Sequence, residues 1–297
     1  MNRRYLKDRF AALGIRSLAV FSSCLIAVMV VGLFLKAEPI LTIKPLTELL
    51  FSSAWNPMSG KFGLFPFIIS TVEVTAIAML LAIPICLLSA IYLSEYAPRK
   101  VRELVGPVID LLAGIPPVIY GLWGVIVIVP LVKLLGSGLG KATTGYCLLT
   151  GGVVLAIMVF PIIISIITEV LRTVPMALRE TSLAVGATRW ETTVHVVLKS
   201  AVRGIIAAIV LGFSRAFGET MAVLMMVGNV AKVPSSLFSP AYPLPALIAN
   251  NYGEMMSIPL YDSALMLAAL FLLVVVGVFN VGAHLTLLKL QTGGHHA

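Results

Sequence analysis

Six long apolar stretches interrupt the polar parts of the chain. They lie near residues 18–35, 67–93, 108–132, 146–168, 205–228 and 261–287. Each is long enough to cross a hydrocarbon core of about 30 Å, which takes about 20 helical residues. None shows the two-residue alternation of polar and apolar positions that is typical of barrel strands. The pattern therefore predicts an all-α integral membrane protein with six transmembrane helices.

Composition and charge agree with a membrane location. The 297 residues are 59% hydrophobic and only 11% charged, whereas soluble domains are about 45–50% apolar and about 25% charged. An even number of spans places both termini on one side, and fourteen of the 21 Lys and Arg residues lie on that side. The positive-inside rule then predicts cytoplasmic N- and C-termini in a cell (inner or plasma) membrane. The net charge of +8 thus reflects topology, and we expect membrane lipid and no nucleic acid as a partner.

Catalytic and metal-binding patterns are missing from the sequence. The cysteines Cys24, Cys86 and Cys147 are unpaired by motif and fall within apolar stretches, which is typical of small core residues. The glycine-rich run 136–142 lacks the first glycine and the Ser or Thr of a nucleotide-binding loop. We therefore expect a non-catalytic subunit that carries no metal and no cofactor of its own, with its energy source in a partner.

The polar loop at residues 169–204 is predicted to hold two helices joined by a glycine. Pro175 suits the first turn of a helix that runs to about Val185, and Gly186 suits its end. Thr188 and Glu191 have the spacing of a capping box, which starts a second helix that runs to about Arg203. Such a rigid protrusion is suited to transmitting a push from a cytoplasmic partner, and a solvated charged connector is the alternative.

The same loop resembles the EAA loop of ABC importer permeases. Glu180 and Gly186 keep the glutamate and glycine of that motif, and Val196 and Leu198 stand in for its Ile and Leu. Thr181 and Ser182 replace the two alanines, and Lys199 replaces the proline. The resemblance implies a coupling loop that docks on an ATPase subunit through five residues: Glu180, Gly186, Ala187, Thr188 and Arg189.

Two charges, Arg215 and Glu219, interrupt the fifth apolar stretch. Ionisable side chains inside a membrane are costly and usually face the bundle interior or a watery path. A spacing of four predicts that both lie on one helix face. The same helical period places near that face several mostly small residues, which favour close packing or leave space for a small solute: Ala208, Leu211, Gly212, Gly218 and Ala222.

The run from Gly212 to Val223 resembles the fifth-span signature of phosphate importer permeases of the PstC type, with Ser214 in the place of a glycine. The resemblance implies a MetI-like core at residues 67–291, preceded by an N-terminal segment, an extra first helix and an outer loop at 1–66. It also implies alternating access, a heterodimer with a sister PstA-type permease, two ATP-binding subunits that hold ATP and Mg, and an external phosphate-binding protein.

Several alternatives remain open at this point. Arg215 presents a planar fork that matches phosphate oxygens, and Glu219 suits a protonated phosphate hydroxyl, but the two residues also suit a permanent structural ion pair. The same fold serves importers of another oxyanion, such as molybdate or sulfate, or of a small solute. A stand-alone secondary transporter or channel is an alternative of a different class.

Further candidates lie in the second and third apolar stretches. Glu73 lies about two turns inside its predicted helix, where it lines the substrate path or pairs with a neighbour. Pro116 and Pro117 remove two backbone donors and must kink or break the third helix. We interpret them as hinge candidates beside the path, with a packing kink as the alternative.

Overall fold

A computed structural model describes residues 3–254 and 257–292. Within these residues, six helices are long and apolar enough to span a membrane, which confirms the predicted all-α architecture. We number them as spans one to six in chain order: Ala11–Ile43, Phe65–Tyr96, Pro117–Gly138, Leu148–Arg172, Arg189–Phe217 and Tyr261–Gly282.

Shorter elements connect the spans. The first span belongs to the longer helix Arg3–Ile43, and the sixth to Tyr261–Thr292. We call Arg99–Ala113 the surface helix and Met176–Ala184 the loop helix. The remaining short helices are Leu46–Phe51, Pro57–Ser59, Met221–Leu224 and Leu244–Asn251, and an antiparallel hairpin pairs Trp55–Asn56 with Lys61–Phe62.

The predicted start of the third span at residue 108 is wrong. Residues Arg99–Ala113 form the separate surface helix, which buries none of its side chains. The chain then breaks at Gly114–Pro116, and Pro117 occupies the first turn of the third span, where a missing backbone donor costs nothing. The two prolines therefore separate two helices and do not kink one.

The predicted limits of the fifth span, residues 205–228, are also wrong. The helix continues without interruption from Arg189 to Phe217, passing through one wide turn at Thr193–Val197. It ends before Gly218, and a separate short helix follows at Met221–Leu224. The loop at 169–204 therefore feeds directly into a membrane-spanning rod.

Close packing of small residues holds the central spans together. The second span packs along the fourth, and the fifth packs against the fourth and the sixth. Gly152 meets Ile77, Gly204 meets Val170, and Gly212 meets Ile163 so closely that an added Cβ would collide with each partner. Small residues let membrane helices approach at short range, where van der Waals contact replaces the missing hydrophobic driving force.

A second buried cluster lies at the end of the bundle away from the 169–204 loop. Trp55 packs edge-on against Phe67, with ring centroids 4.9 Å apart, and Phe67 packs in the same way on Tyr242. The backbone amides of Tyr242 and Leu244 donate to the hydroxyls of Ser70 and Thr71 in the second span. The connections at this end are therefore part of the packed core, because their backbone donors are satisfied inside it.

Candidate functional site

Arg215 lies near the middle of the bundle, two residues before the end of the fifth span. The fourth and fifth spans run antiparallel, because Gly204 packs on Val170 and Gly212 on Ile163. A further step of about one helical turn along both helices brings Arg215 level with Phe160. Phe160 is the midpoint of the fourth span, Leu148–Arg172, so the Cα of Arg215 lies near mid-membrane depth.

The side chain of Arg215 is exposed on the isolated chain. Among residues 3–254 and 257–292, no carboxylate oxygen comes within 4.0 Å of its guanidinium. A permanent charge at this depth is costly in lipid unless it faces water, a partner chain or a counter-charge. The side chain is therefore placed to meet something outside this chain.

Glu219 does not share a helix face with Arg215, and the prediction that it does is wrong. The helix ends at Phe217, and Glu219 lies in the turn that follows. Its Oε1 accepts from the backbone N–H of Ala222 at 3.3 Å, so the carboxylate caps the short helix Met221–Leu224. A carboxylate at a helix start is favoured by the free N–H groups there.

Contrary to the sequence prediction, the small residues near Arg215 do not all lie on its exposed face. Ala208 and Gly212 are buried, and Gly212 packs against the fourth span. Ala222 is buried as well and lies beyond the helix break. Only Leu211 and Gly218 share the exposure of Arg215. Most of the small residues therefore serve helix packing, and they do not enlarge a space around the arginine.

The break at Pro116 and Pro117 lies beside this arginine. Tyr120, one turn past the prolines, donates from its hydroxyl to the Leu112 carbonyl at 2.8 Å and so bridges the break. The charge of Arg215 is close enough to the Tyr120 phenol to interact with it electrostatically. The exposed cation of Arg215 therefore lies near both helix breaks, at 114–116 and at 218–220.

Glycines in the third span hold these two breaks together. A Cβ on Gly121 would lie 3.3 Å from the backbone of Ala222, and a Cβ on Gly124 would collide with the Sδ of Met226. Met226 is fully buried, so it has little room to move. The start of the third span and the segment after the fifth span therefore form one packed unit.

Glu73 stands apart from this group. It is half-buried, and its Oε2 is buried without a hydrogen-bond partner among the residues that the structure describes. The adjacent Val74 and Ile77 pack on Gly151 and Gly152, at the opposite end of the fourth span from the loop. No ion pair within the described part of the chain joins Glu73 to Arg215.

The coupling loop has the predicted geometry. The loop helix runs from Met176 to Ala184, and Gly186 follows with φ of 91°, a conformation that favours glycine. Thr188 and Glu191 form the capping box: the Thr188 hydroxyl accepts from the Glu191 N–H, and the Glu191 carboxylate accepts from the Thr188 N–H at 2.8 Å.

The five proposed docking residues of this loop lie on or near its surface. Glu180, Gly186, Thr188 and Arg189 are exposed, and Ala187 is half-buried. Val185 and Trp190, two large apolar side chains between them, are 81% and 57% exposed. Exposed apolar residues beside a charged rim are typical of an interaction surface.

An ion pair that sequence reasoning missed anchors the loop helix to the bundle. Arg179 donates to both carboxylate oxygens of Glu95, at the end of the second span, and also to the carbonyls of Leu171 and Val174. Both side chains are largely buried, at 14% and 13% exposure. No local sequence signal pairs the two residues, because they lie 84 positions apart.

A family model and curated relatives match most of this chain. The model of the binding-protein-dependent transport system inner membrane component matches residues 82–285. The phosphate transport system permease protein PstC of Xylella fastidiosa (strain Temecula1) is 40% identical over 256 residues, which are 81% of this chain and 78% of the relative. The probable phosphate transport system permease protein PstC of Methanocaldococcus jannaschii is 33% identical over 284 residues, 88% of this chain and 90% of the relative.

Two solved structures are similar in fold. A chain of the inward-facing MetNI methionine ABC transporter matches with a TM-score of 0.57 at 19% identity, over 74% of this chain and 92% of that chain. A chain of a bacterial ABC transporter involved in the import of the acidic polysaccharide alginate matches with a TM-score of 0.54 at 17% identity, over 97% of this chain and 99% of that chain. At these identities the likeness concerns the arrangement of helices alone.

Proposed function

This chain belongs to the family of binding-protein-dependent transport system inner membrane components, and we propose that it is the permease subunit of an ATP-driven importer of inorganic phosphate. The curated relatives named as phosphate permeases support the substrate. The substrate reaches the cytoplasm by alternating access between two packings of the same helices, and ATP binding in partner subunits favours one of them.

The observation that carries the proposal is the exposed guanidinium of Arg215 at mid-membrane depth, which has no ion-pair partner among residues 3–254 and 257–292. A planar, permanently charged fork binds tetrahedral oxyanions through two parallel hydrogen bonds. Within the described part of this chain, Arg215 has no carboxylate in contact, so a passing anion meets an unneutralised cation. Phosphate therefore gains a charge-assisted hydrogen bond at the depth where the free-energy cost of a charge in lipid is highest.

Glu219 and Glu73 contribute to the selectivity of the substrate path for phosphate. Glu219 is half-buried at the break next to Arg215 and uses one oxygen to cap Met221–Leu224. Its other oxygen is suited to accept from a protonated phosphate hydroxyl. A fully ionised sulfate lacks that donor and is repelled. Glu73 has a buried oxygen without a hydrogen-bond partner in the described part of the chain, and it lines the path further toward the opposite end.

The fifth span is the lever that joins ATP hydrolysis to this site. It is one helix of 29 residues from Arg189 to Phe217, or about 43 Å at about 1.5 Å per residue. Arg189 starts it at the coupling loop, and Arg215 lies near its far end. A push on the loop therefore moves the arginine without passing through a flexible joint.

The breaks at Pro116–Pro117 and at Gly218 serve as the hinges of this lever. The third span and the 221–226 segment pack as one unit through Gly121 and Gly124. Tilting of the fifth span against that unit changes the separation between Arg215 and the start of the third span. In this way the path opens to one side of the membrane at a time.

The expected assembly is a heterodimer with a sister PstA-type permease, two ATP-binding subunits and an external phosphate-binding protein. The exposed face around Arg215 meets the sister permease across the path. The coupling loop and both termini lie in the cytoplasm, as the excess of Lys and Arg on that side favours. ATP and Mg are held by the ATP-binding subunits.

Reconstitution of the four-component complex in proteoliposomes tests this function. We expect phosphate with its binding protein to stimulate ATP hydrolysis and to accumulate inside, whereas sulfate and molybdate do neither. Stimulation by sulfate or molybdate without phosphate would overturn the substrate. Phosphate flux through this chain alone, without ATP or partners, would instead identify a secondary transporter or channel.

A further inference from the structure

A cavity lined by arginines lies between the coupling loop and the ends of the spans. It has a volume of about 340 Å³, within the range of about 300–1,000 Å³ that is typical of small-molecule sites. Its wall contains four arginines and one carboxylate: Arg102, Arg172, Arg179, Arg189 and Glu95. We call it the arginine cavity.

The arginine cavity keeps a positive charge after its internal pairing is counted. Arg179 is neutralised by Glu95, which it contacts through two hydrogen bonds. Arg102 contacts only a backbone carbonyl, that of Ala97, at 2.8 Å. Arg172 reaches Glu169 at 4.0 Å, the outer limit of an ion pair, and 47% of its side chain is exposed. Arg102 and Arg189 have no carboxylate in contact among the residues described.

A smaller cavity continues on the other side of Arg102 and Arg172. It has a volume of about 200 Å³ and includes Thr168, Asp110 and Glu169. The hydroxyl of Thr168 is buried and has no hydrogen-bond partner within the described residues. A buried polar group is normally paired, and water or a solute in the smaller cavity would pair this hydroxyl. Because Arg102 and Arg172 line both cavities, the two cavities together hold four arginines and three carboxylates, Glu95, Asp110 and Glu169. One positive charge remains, and Arg189, which lines only the larger cavity, places the anion site there.

We propose that the arginine cavity binds a phosphate-bearing anion, supplied either as free inorganic phosphate or as the phosphate of an acidic lipid headgroup. Guanidinium forks from different directions match the geometry of phosphate oxygens, and basic pockets between spans are typical of acidic lipid binding. The exposed Met176 at the rim is compatible with an acyl chain beside the headgroup.

A bound anion would link three elements at the loop end of the bundle. Arg102 belongs to the surface helix, Arg172 ends the fourth span, and Arg189 begins the fifth. An anion between them restrains the coupling loop against the bundle. The site thus lets a phosphate-bearing ligand on the loop side control how freely the lever moves, which goes beyond the transport path at Arg215.

Hydrogen exchange on the complete complex tests this site. The complex is purified in detergent and compared in sodium phosphate and in sodium chloride of equal ionic strength. A second arm uses nanodiscs of phosphatidylcholine with or without phosphatidylglycerol. We expect slower exchange in residues 99–106 and 172–193 in the presence of phosphate, of phosphatidylglycerol, or of both, and the arm that responds identifies the source.

Two matched variants separate the cavity from general charge effects. Arg102→Gln removes a charge from the cavity wall. It should lower the affinity for the protecting ligand about tenfold or more, because a charge-assisted hydrogen bond is lost. Arg99→Gln removes a charge from the same helix that is 91% exposed and outside the cavity, and protection should persist. If Arg102→Gln does not assemble, Arg172→Gln is read in its place.

The transport path must not be mistaken for this site. The titration is therefore repeated in an Arg215→Gln background, where protection of the loop should remain. Protection of the loop in this background does not depend on which anion the importer transports. The experiment can therefore contradict the proposed function and the anion site independently of each other. No change of exchange with either ligand, or equal losses in Arg102→Gln and Arg99→Gln, would overturn the proposal.

Discussion

Arg179 and Glu95 form a two-pronged ion pair that joins the loop helix to the second span. The Nη2–Oε1 and Nε–Oε2 distances are 2.9 Å and 3.1 Å, and the same guanidinium also binds the carbonyls of Leu171 and Val174. One side chain thus fastens the coupling loop to the ends of two spans. A loop held in this way passes its displacement to the bundle and does not swing freely.

Loss of Arg179 should destabilise the loop and uncouple it. Arg179→Ala leaves the Glu95 carboxylate largely buried without its partner, which costs about 3 kcal/mol, at the lower end for buried pairs. We expect the melting temperature of the purified complex to fall by up to about 5 °C. Phosphate stimulation of ATP hydrolysis should fall with it.

The exposed pair Arg99–Glu103 is the matched control for this prediction. Its side chains are 91% and 61% exposed, and exposed pairs contribute about 1 kcal/mol or less. Arg99→Ala should therefore leave the melting temperature within about 2 °C. Equal shifts in Arg99→Ala and Arg179→Ala would show that the Arg179–Glu95 pair does not anchor the loop.

At Gly186 there is room for the methyl group of alanine, but the backbone conformation is unfavourable for alanine. Its φ is 91°, and an added Cβ would meet nothing within 4 Å. The penalty is therefore local strain of about 1–2 kcal/mol, which the loop relieves by turning away. Gly186→Ala should lower phosphate-stimulated ATP hydrolysis severalfold, measured in proteoliposomes, by misplacing the docking residues.

Gly140 offers the same strain at the opposite side of the bundle. It has φ of 67° and equally open surroundings. Gly140→Ala should cost similar stability, measured by thermal unfolding, and leave ATPase coupling intact. If the two variants reduce coupling equally, the effect of Gly186 comes from general destabilisation and not from the docking geometry.

The coupling loop could be predicted from sequence because its signals are local. Thr188 and Glu191 satisfy each other's backbone across three residues, and Gly186 adopts a conformation that glycine favours. Neither depends on the rest of the fold. Such elements can be predicted wherever the residues that define them are close in sequence.

The two span boundaries were missed for different reasons. The apolar pattern runs through Phe217 and Gly218 without a proline, and Gly218, a helix-stop signal, was interpreted as part of the fifth span. Its end is stabilised by Glu219 capping the next short helix and by the close approach of Gly121 to Ala222. At the third span, Pro117 was a helix-start signal that the adjacent apolar run at 108–113 obscured.

Gly212 should be intolerant of alanine because the fourth span lies against it. An added Cβ would come within 2.6 Å of two atoms of Ile163, which is fully buried. Overpacking of this kind costs about 1–3 kcal/mol, so Gly212→Ala should lower the melting temperature of the complex by about 2 °C or more.

Gly218 is the matched glycine three residues after Arg215. It has an ordinary φ of −93°, and its added Cβ would lie 3.7 Å from the Ser214 carbonyl oxygen. Gly218→Ala should therefore leave the melting temperature unchanged. If both variants melt alike, the close approach of the fourth and fifth spans is looser than the contact at Ile163 implies.

Removal of Arg215 should abolish transport while the complex stays folded. Within the described part of the chain Arg215 has no carboxylate partner, so Arg215→Gln strands no buried counter-charge, and the melting temperature should shift by less than about 2 °C. Phosphate uptake should fall about tenfold or more, because a charge-assisted contact with the anion is lost.

The double variant that exchanges the two charges, Arg215→Glu with Glu219→Arg, should assemble and remain inactive. A permanent ion pair predicts the opposite: Arg215→Gln would melt early, and the charge exchange would restore uptake.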